Sequence, residues 1–124
     1  MPEGEFLREF RGTVVKGKGM GRALGFPTAN LAMADAPGLR HGVYAARVRV
    51  EDTWYEAVVN VGRHPTLPGG PLAVEAHMPG RSLDLYGRTV TVRLLRFLRG
   101  ERRFDSPEAL AEQIGRDIAS LNIL

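Results

Sequence analysis

The chain has 124 residues and a mass of 13.6 kDa, with 17 Lys+Arg against 14 Asp+Glu for a formal charge of +3, and no cysteine. That length is read as a single domain spanning residues 1–124, which excludes a second nucleotide-binding fold within it, and the missing thiols exclude a disulfide scaffold, a thiolate metal site and a Cys nucleophile. Hydrophobic residues at 44% and charged residues at 25% give an ordinary globular balance, whereas 15 Gly and 8 Pro predict many turns and shaped loops.

In chain order, Phe6 to Val15 reads as a first strand ending in β-branched Thr13, Val14 and Val15. Residues 16 to 25 (KGKGMGRALG) follow with four glycines and no apolar periodicity, a loop free of Cβ atoms at several points. Phe26 to Leu31 (FPTANL) starts extended, because Pro27 pushes Phe26 out of the helical region. A turn over Ala36 to Gly42 leads into an alternating strand, Val43 to Val50. Glu51 and Asp52 then form a tight hairpin into Trp54 to Val61.

Gly62 to Pro71 is a second shaped loop, with three prolines and three glycines in ten residues. Leu72 to Met78 (LAVEAHM) alternates, with Leu72, Val74, Ala76 and Met78 on one face and Ala73, Glu75 and His77 on the other. Leu83 to Tyr86 reads as a short edge segment and Arg88 to Leu98 as the longest strand. The doublet Leu94-Leu95 breaks the alternation of that strand and calls for a bulge or bend. Ser106-Pro107-Glu108 then supplies an N-cap, a first-turn proline and an early acid. Leu110, Ile114, Ile118 and Leu121 draw one apolar stripe on the helix that follows. Short strands punctuated by turns and closed by one amphipathic helix predict a mainly β protein, a small antiparallel barrel covered by a C-terminal helix.

Several constellations bear on chemistry. The glycine loop either connects strands or cradles phosphate with its backbone amides. It completes neither GxxxxGK[ST] nor GxGxxG, since position 22 is Arg. Thr28 and Asn30 share a side of an extended segment, either as a turn cap or as hard neutral ligands suited to Mg²⁺ once phosphate oxygens complete the shell. Glu75 is a lone acid in an apolar strand, either a solvated surface residue or a general base held on a rigid element. Arg96, Arg99, Arg102 and Arg103 form the densest basic stretch, either a solvated connector or a phosphate-facing and ring-facing one. His41, His64 and His77 make no HExxH pattern, which argues against a zinc hydrolase.

Taken together, these stretches resemble the riboflavin kinase family, the kinase module found in the C-terminal half of bacterial bifunctional FAD synthetases. The resemblance rests on GTVV at 12 to 15, GRALGFPTANL at 21 to 31, PGLRHGVYAARV at 37 to 48 and NVG at 60 to 62 with Pro65-Thr66. It continues through VEAH at 74 to 77, LYG at 85 to 87, Leu98 to Phe104 and the helix ending in QIGRDI. It implies a six-stranded antiparallel Greek-key β-barrel with a C-terminal α-helix packed on it, and transfer of the ATP γ-phosphoryl group to the 5′-hydroxyl of riboflavin, giving FMN and ADP. Carried over by position, Glu75 is the general base. Gly19, Gly21, Arg22, Thr28, Asn30 and Tyr86 are ATP-binding, with Mg²⁺ at Thr28 and Asn30, and Arg99, Glu101, Arg103 and Phe104 lie on the flavin side. The segment from Met78 to Tyr86 corresponds to a flap near the adenine, and MPGRSLDLYG at 78 to 87 departs from the acidic-aromatic stretch that more often precedes LYG.

The expected partners are therefore small molecules, riboflavin and ATP, with no nucleic acid and no membrane. Either the kinase stands alone or an FAD synthetase adenylyltransferase domain is joined to it in a longer chain. No run approaches the roughly 18 apolar residues of a membrane span, and Met1 to Phe6 lacks a signal-peptide pattern, so a cytoplasmic location is expected. A competing expectation is a small β-barrel that binds nucleic acid without catalysis, although nine aromatics in all give it little stacking surface.

Overall fold

The computed structural model describes residues 7–15, 29–32, 40–63, 72–79, 85–100 and 106–121. Six strands, β1 (Arg8–Val15), β2 (Ala29–Ala32), β3 (Gly42–Val50), β4 (Thr53–Arg63), β5 (Leu72–His77) and β6 (Thr89–Arg99), precede one helix, α1 (Pro107–Ser120). All pairings are antiparallel, and the sheet closes on itself in the order β1-β2-β5-β4-β3-β6. Strands β3, β4 and β5 follow one another as neighbours while β6 returns to lie beside β3, a Greek-key connection. The expected six-stranded barrel with a C-terminal helix is the observed fold.

Closure leaves no free sheet edge, and strict alternation decides what fills the interior. Val74 and Ala76 of β5, Val59 and Val61 of β4, and Val90, Val92 and Leu94 of β6 are all at most 2% exposed. The sequence is rich in valine there because a β-branched side chain fits a pleated, tightly curved wall.

The Leu94-Leu95 doublet does mark an irregularity. Ala45 pairs with Arg96 and Ala46 with Leu94, so Leu95 is the extra residue, and a second shift separates Tyr44↔Phe97 from Val43↔Arg99. The physical reason is legible in the side chains. Without the first bulge Arg96 would point into the core and Phe97 out of it, and one inserted residue reverses both. Phe97 accordingly packs against the main core, with its ring 5.2 Å from that of Tyr44 in a T-shaped contact.

Ser106 caps α1 as the sequence predicts: its Oγ accepts from Ala109 N at 3.1 Å, and its φ of −151° and ψ of 158° are extended. Ile118 and Leu121 of the predicted stripe pack with Val43, Ala45 and Val58 on the outside of the barrel, with Leu98 against them. The last turn of α1 has no basic residue of its own, and Arg96 from β6 donates to Ser120 O at 3.3 Å instead. The edge segment expected at Leu83 to Tyr86 is not a strand where it is described, because Leu85, Tyr86 and Gly87 form a turn, while residues 83 and 84 lie outside the described residues.

Candidate active site

The outward-facing residues of β1, β2, β5 and β4 line up across the sheet. Val15 pairs with Asn30, Asn30 with Glu75, and Glu75 with Asn60. Neighbouring strands lie about 4.8 Å apart, so the two carboxamides flank the carboxylate within about 10 Å of each other. Glu75 and Asn60 are exposed and Asn30 is half-buried. Directly behind them the inward-facing residues Val74 and Ala76 lock β5 into the barrel, which holds the carboxylate on a rigid support. His77, expected beside Glu75 on a solvated face, is buried at 8%. It pairs with Val58, which α1 covers, so the solvated part of this face ends at Glu75.

Tyr86 joins the same region from the turn before β6. Gly87 N donates to Val14 O and Val14 N to Arg88 O, both at 2.9 Å, and Arg88 N donates to Leu85 O at 2.9 Å. With φ of 80°, Gly87 takes a conformation that suits glycine, and Leu85 is buried. These contacts fasten Tyr86, 58% exposed, to the end of β1, where Val15 is also exposed at 41%. Two apolar side chains open to solvent at one end of the polar row offer a surface for a flat ring.

Arg99 lies at the end of β6, and its fork is used within the protein. Nε donates to Asp117 Oδ1 at 3.1 Å and to Oδ2 at 3.3 Å, Nη2 donates to Oδ2 at 2.9 Å, and Nη1 donates to Gly100 O at 3.2 Å. Gln113 Nε2 adds a bond to Asp117 Oδ1 at 3.1 Å, and Ser120 Oγ donates to Asp117 O at 2.6 Å. The pair ties the exit of β6 to α1. It is not a solvated connector, since the side chains are 19% and 6% exposed. Asp117 was missed by sequence reasoning, although an acid within the i, i+3, i+4, i+7 pattern of Ile114, Ile118 and Leu121 signals a buried ion pair.

At the same end, Gly42 has φ of +152°, and a Cβ there would lie 2.5 Å from both Arg99 O and the Phe97 ring. The Arg40 guanidinium sits 3.9 Å over that ring, and Tyr44 Oη donates to Arg40 O at 2.6 Å. Burial raises the Tyr44 hydroxyl above its usual value of 10.0, with the Arg40 charge pulling the other way.

Of the residues singled out from the sequence, Asn30 and Glu75 are adjacent, Tyr86 stands by the end of β1, and Arg99 is at the end of β6. Gly19, Gly21, Arg22, Thr28, Glu101, Arg103 and Phe104 lie outside the described residues. In the sequence Asn60 stands out only as part of NVG; its place beside Glu75 depends on strand register, which a linear reading does not supply. Among the described residues no group of three or more His, Cys, Asp or Glu could hold a metal ion. A metal here would take neutral oxygens and substrate phosphate as ligands, and the carboxamide oxygen of Asn30 fits that donor set.

A family model described as Flavokinase, riboflavin kinase, matches residues 6–123. The chain belongs to this family. It is 44% identical over 110 residues to the RNA-binding riboflavin kinase RibR of Bacillus subtilis, covering 87% of this chain and 47% of that protein. It is 39% identical over 107 residues to the bifunctional riboflavin kinase/FMN adenylyltransferase of Escherichia coli K12, covering 86% of this chain and 34% of that one. The solved riboflavin kinase of Trypanosoma brucei shares the fold with a TM-score of 0.67 and 25% identity, over 92% of this chain and 76% of the other. The chain thus spans about half of the first relative and about a third of the second. The expectation of no nucleic-acid partner is withdrawn, because one flavokinase relative is named as RNA-binding. Among the described residues no helix is long and apolar enough to cross a membrane.

Proposed function

We propose that this chain is an ATP-dependent riboflavin kinase in which Glu75 is the general base. The observation that carries the reading is a carboxylate fixed on a barrel strand and flanked in register by Asn30 and Asn60, within a chain of the flavokinase family. The riboflavin 5′-oxygen attacks the γ-phosphorus of ATP, the bond from that phosphorus to the β,γ-bridging oxygen breaks, and FMN and ADP leave. The hydroxyl proton passes to Glu75 and then to solvent.

Phosphoryl transfer asks mostly for positioning and charge neutralisation, so the rest of the equipment is modest. The glycine loop with Gly19, Gly21 and Arg22 cradles the phosphates, and Tyr86 beside Val15 supports the adenine. Thr28 and Asn30 would hold Mg²⁺ together with phosphate oxygens, and the ion would there neutralise negative charge on the nucleotide. The Arg99–Asp117 pair ties the exit of β6 to α1, and Glu101, Arg103 and Phe104, which follow in sequence, are assigned with Arg99 to flavin binding. The whole of residues 1–124 acts as the kinase domain. By analogy with the bifunctional relatives, an adenylyltransferase domain in the same longer protein would consume the FMN, and a cytoplasmic location suits a consumer of ATP. The non-catalytic nucleic-acid barrel is not favoured, since the family match runs along nearly the whole chain.

Substituting Glu75→Gln tests the base directly. It is expected to lower kcat by about 10²- to 10⁴-fold with riboflavin binding retained. Near-normal kcat in this variant would refute the assignment.

A further inference from the structure

We infer that the wall of the barrel facing away from Glu75 carries a second, non-catalytic surface that binds the phosphates of a single-stranded nucleic acid. Outward side chains of β1, β6, β3 and β4 form two registered rows there. Arg11 pairs with Thr91, Thr91 with Arg49, and Arg49 with Trp54; in the next row Glu9 pairs with Arg93, Arg93 with Arg47, and Arg47 with Glu56. In the closed order β1-β2-β5-β4-β3-β6, strand β6 lies opposite β5, so the rows centred on β6 and β3 face away from the Glu75 row.

The charges of this face are not balanced within it. Glu9 accepts from Arg93 Nε at 2.5 Å, and Glu51, in the hairpin beyond Arg49, accepts from Arg88 Nη1 at 2.9 Å. Arg11, Arg47 and Arg49 are exposed, and none of them pairs with a carboxylate among the described residues; Arg49 Nε donates to the Glu51 carbonyl at 2.8 Å. Against these three cations the rows hold one unpaired acid, Glu56. Arg47 and Arg93 are also registered partners, and like charges directly opposed destabilise a sheet, a conflict that a bound anion removes. Spacing selects the anion. Arg11 and Arg49 stand two strands apart, about 9–10 Å, and Arg47 and Arg49 two residues apart along β3, about 7 Å. Cations spread on that scale do not converge on one phosphate and suit successive phosphates of one strand. The row ends at half-buried Trp54, with the Arg93 guanidinium 4.5 Å over its ring. A guanidinium lying over an indole offers a stack that a base can extend, which an acidic peptide would not use, and bases are open for it in a single strand rather than a duplex.

Trp54 is the single tryptophan of the chain, so its fluorescence reads this face directly. The purified chain is titrated with an oligouridine of about twelve nucleotides, followed by tryptophan quenching and by anisotropy of the labelled oligomer. The inference predicts that both signals saturate together and that affinity falls about 20-fold between about 50 and 200 mM KCl, a log–log slope near −2 for three phosphate contacts. Arg47→Gln/Arg49→Gln should weaken binding by about tenfold at the lower salt and flatten the slope to about −0.7, with Tm and the rate of FMN formation unchanged. Absence of binding at the lower salt, binding without tryptophan quenching, or unchanged binding in the double variant overturns the inference. Equal binding of an oligoglutamate, equal quenching by pyrophosphate, or equal binding of an RNA duplex of the same length overturns it as well, since each removes the need for a single strand on this face.

Discussion

Replacing Asp117 by Ala removes the acceptor of the most buried ion pair in the described structure and should cost more than any exposed charge. Arg99 places three hydrogen bonds on its carboxylate and Gln113 a fourth. Breaking a fully buried pair costs about 3–5 kcal/mol, because a charge is stranded without a partner. Arg99 is 19% exposed and can partly rehydrate once freed, which brings the expected loss down to about 2–3 kcal/mol. For a domain of this size each kcal/mol lowers Tm by about 4 °C, so a fall of roughly 8–12 °C is expected in scanning calorimetry. The double variant Arg99→Met/Asp117→Leu should regain at least half of that loss, since no charge is then stranded and an apolar pair fills the volume. If the pair also anchors the flavin-side segment, Asp117→Ala raises KM for riboflavin and leaves KM for ATP within about twofold. A single variant within about 0.5 kcal/mol of wild type, or a double variant as unstable as the summed singles, would refute the reasoning.

Other outcomes follow from the same geometry. Gly42→Ala should destabilise by about 3–5 kcal/mol in denaturant unfolding, since a Cβ meets backbone and ring at 2.5 Å in a positive-φ conformation; a loss below about 1 kcal/mol would contradict the close approach. Leu94→Ala, which empties the largest fully buried side-chain position among the described residues, should cost about 2–5 kcal/mol by the same measurement. Tyr44→Phe should lose about 1–2 kcal/mol by leaving Arg40 O unpaired. It should also flatten the alkaline side of the stability profile. The folded-state pKa of Tyr44 is raised, so its contribution is fully present below pH 10.0 and is lost as pH rises through the folded-state value. An identical alkaline decline in wild type and Tyr44→Phe, followed by denaturant midpoints from about pH 8 upward, would rule this out.

Much of the barrel is written in local pattern. Period-two alternation marks β5 and β6, Ser106-Pro107 marks the start of α1, and Leu94-Leu95 gives away a bulge, because each signal lies within a few residues of the structure it specifies. The row of the candidate site was only half legible. Asn30 and Glu75 stood out as residue types, but their adjacency, and the place of Asn60 on the far side, come from register between strands that are apart in sequence. The Arg99–Asp117 pair shows the same division. The acid interrupts an apolar helical stripe in plain view, yet its partner 18 residues earlier is chosen by two bulges that turn β6 toward α1. The segment at 85 to 87 misled because its apolar residues serve a turn, with Leu85 buried and Tyr86 exposed, rather than an edge strand.

The most direct test of the central claim follows the phosphoryl group itself. The purified chain is incubated with riboflavin, Mg²⁺ and ATP labelled at the γ-phosphate, and the flavins are separated by chromatography. The account predicts label in FMN in one-to-one proportion with ADP formed, and loss of that label in Glu75→Gln. Folded wild-type chain that leaves riboflavin unlabelled would contradict it.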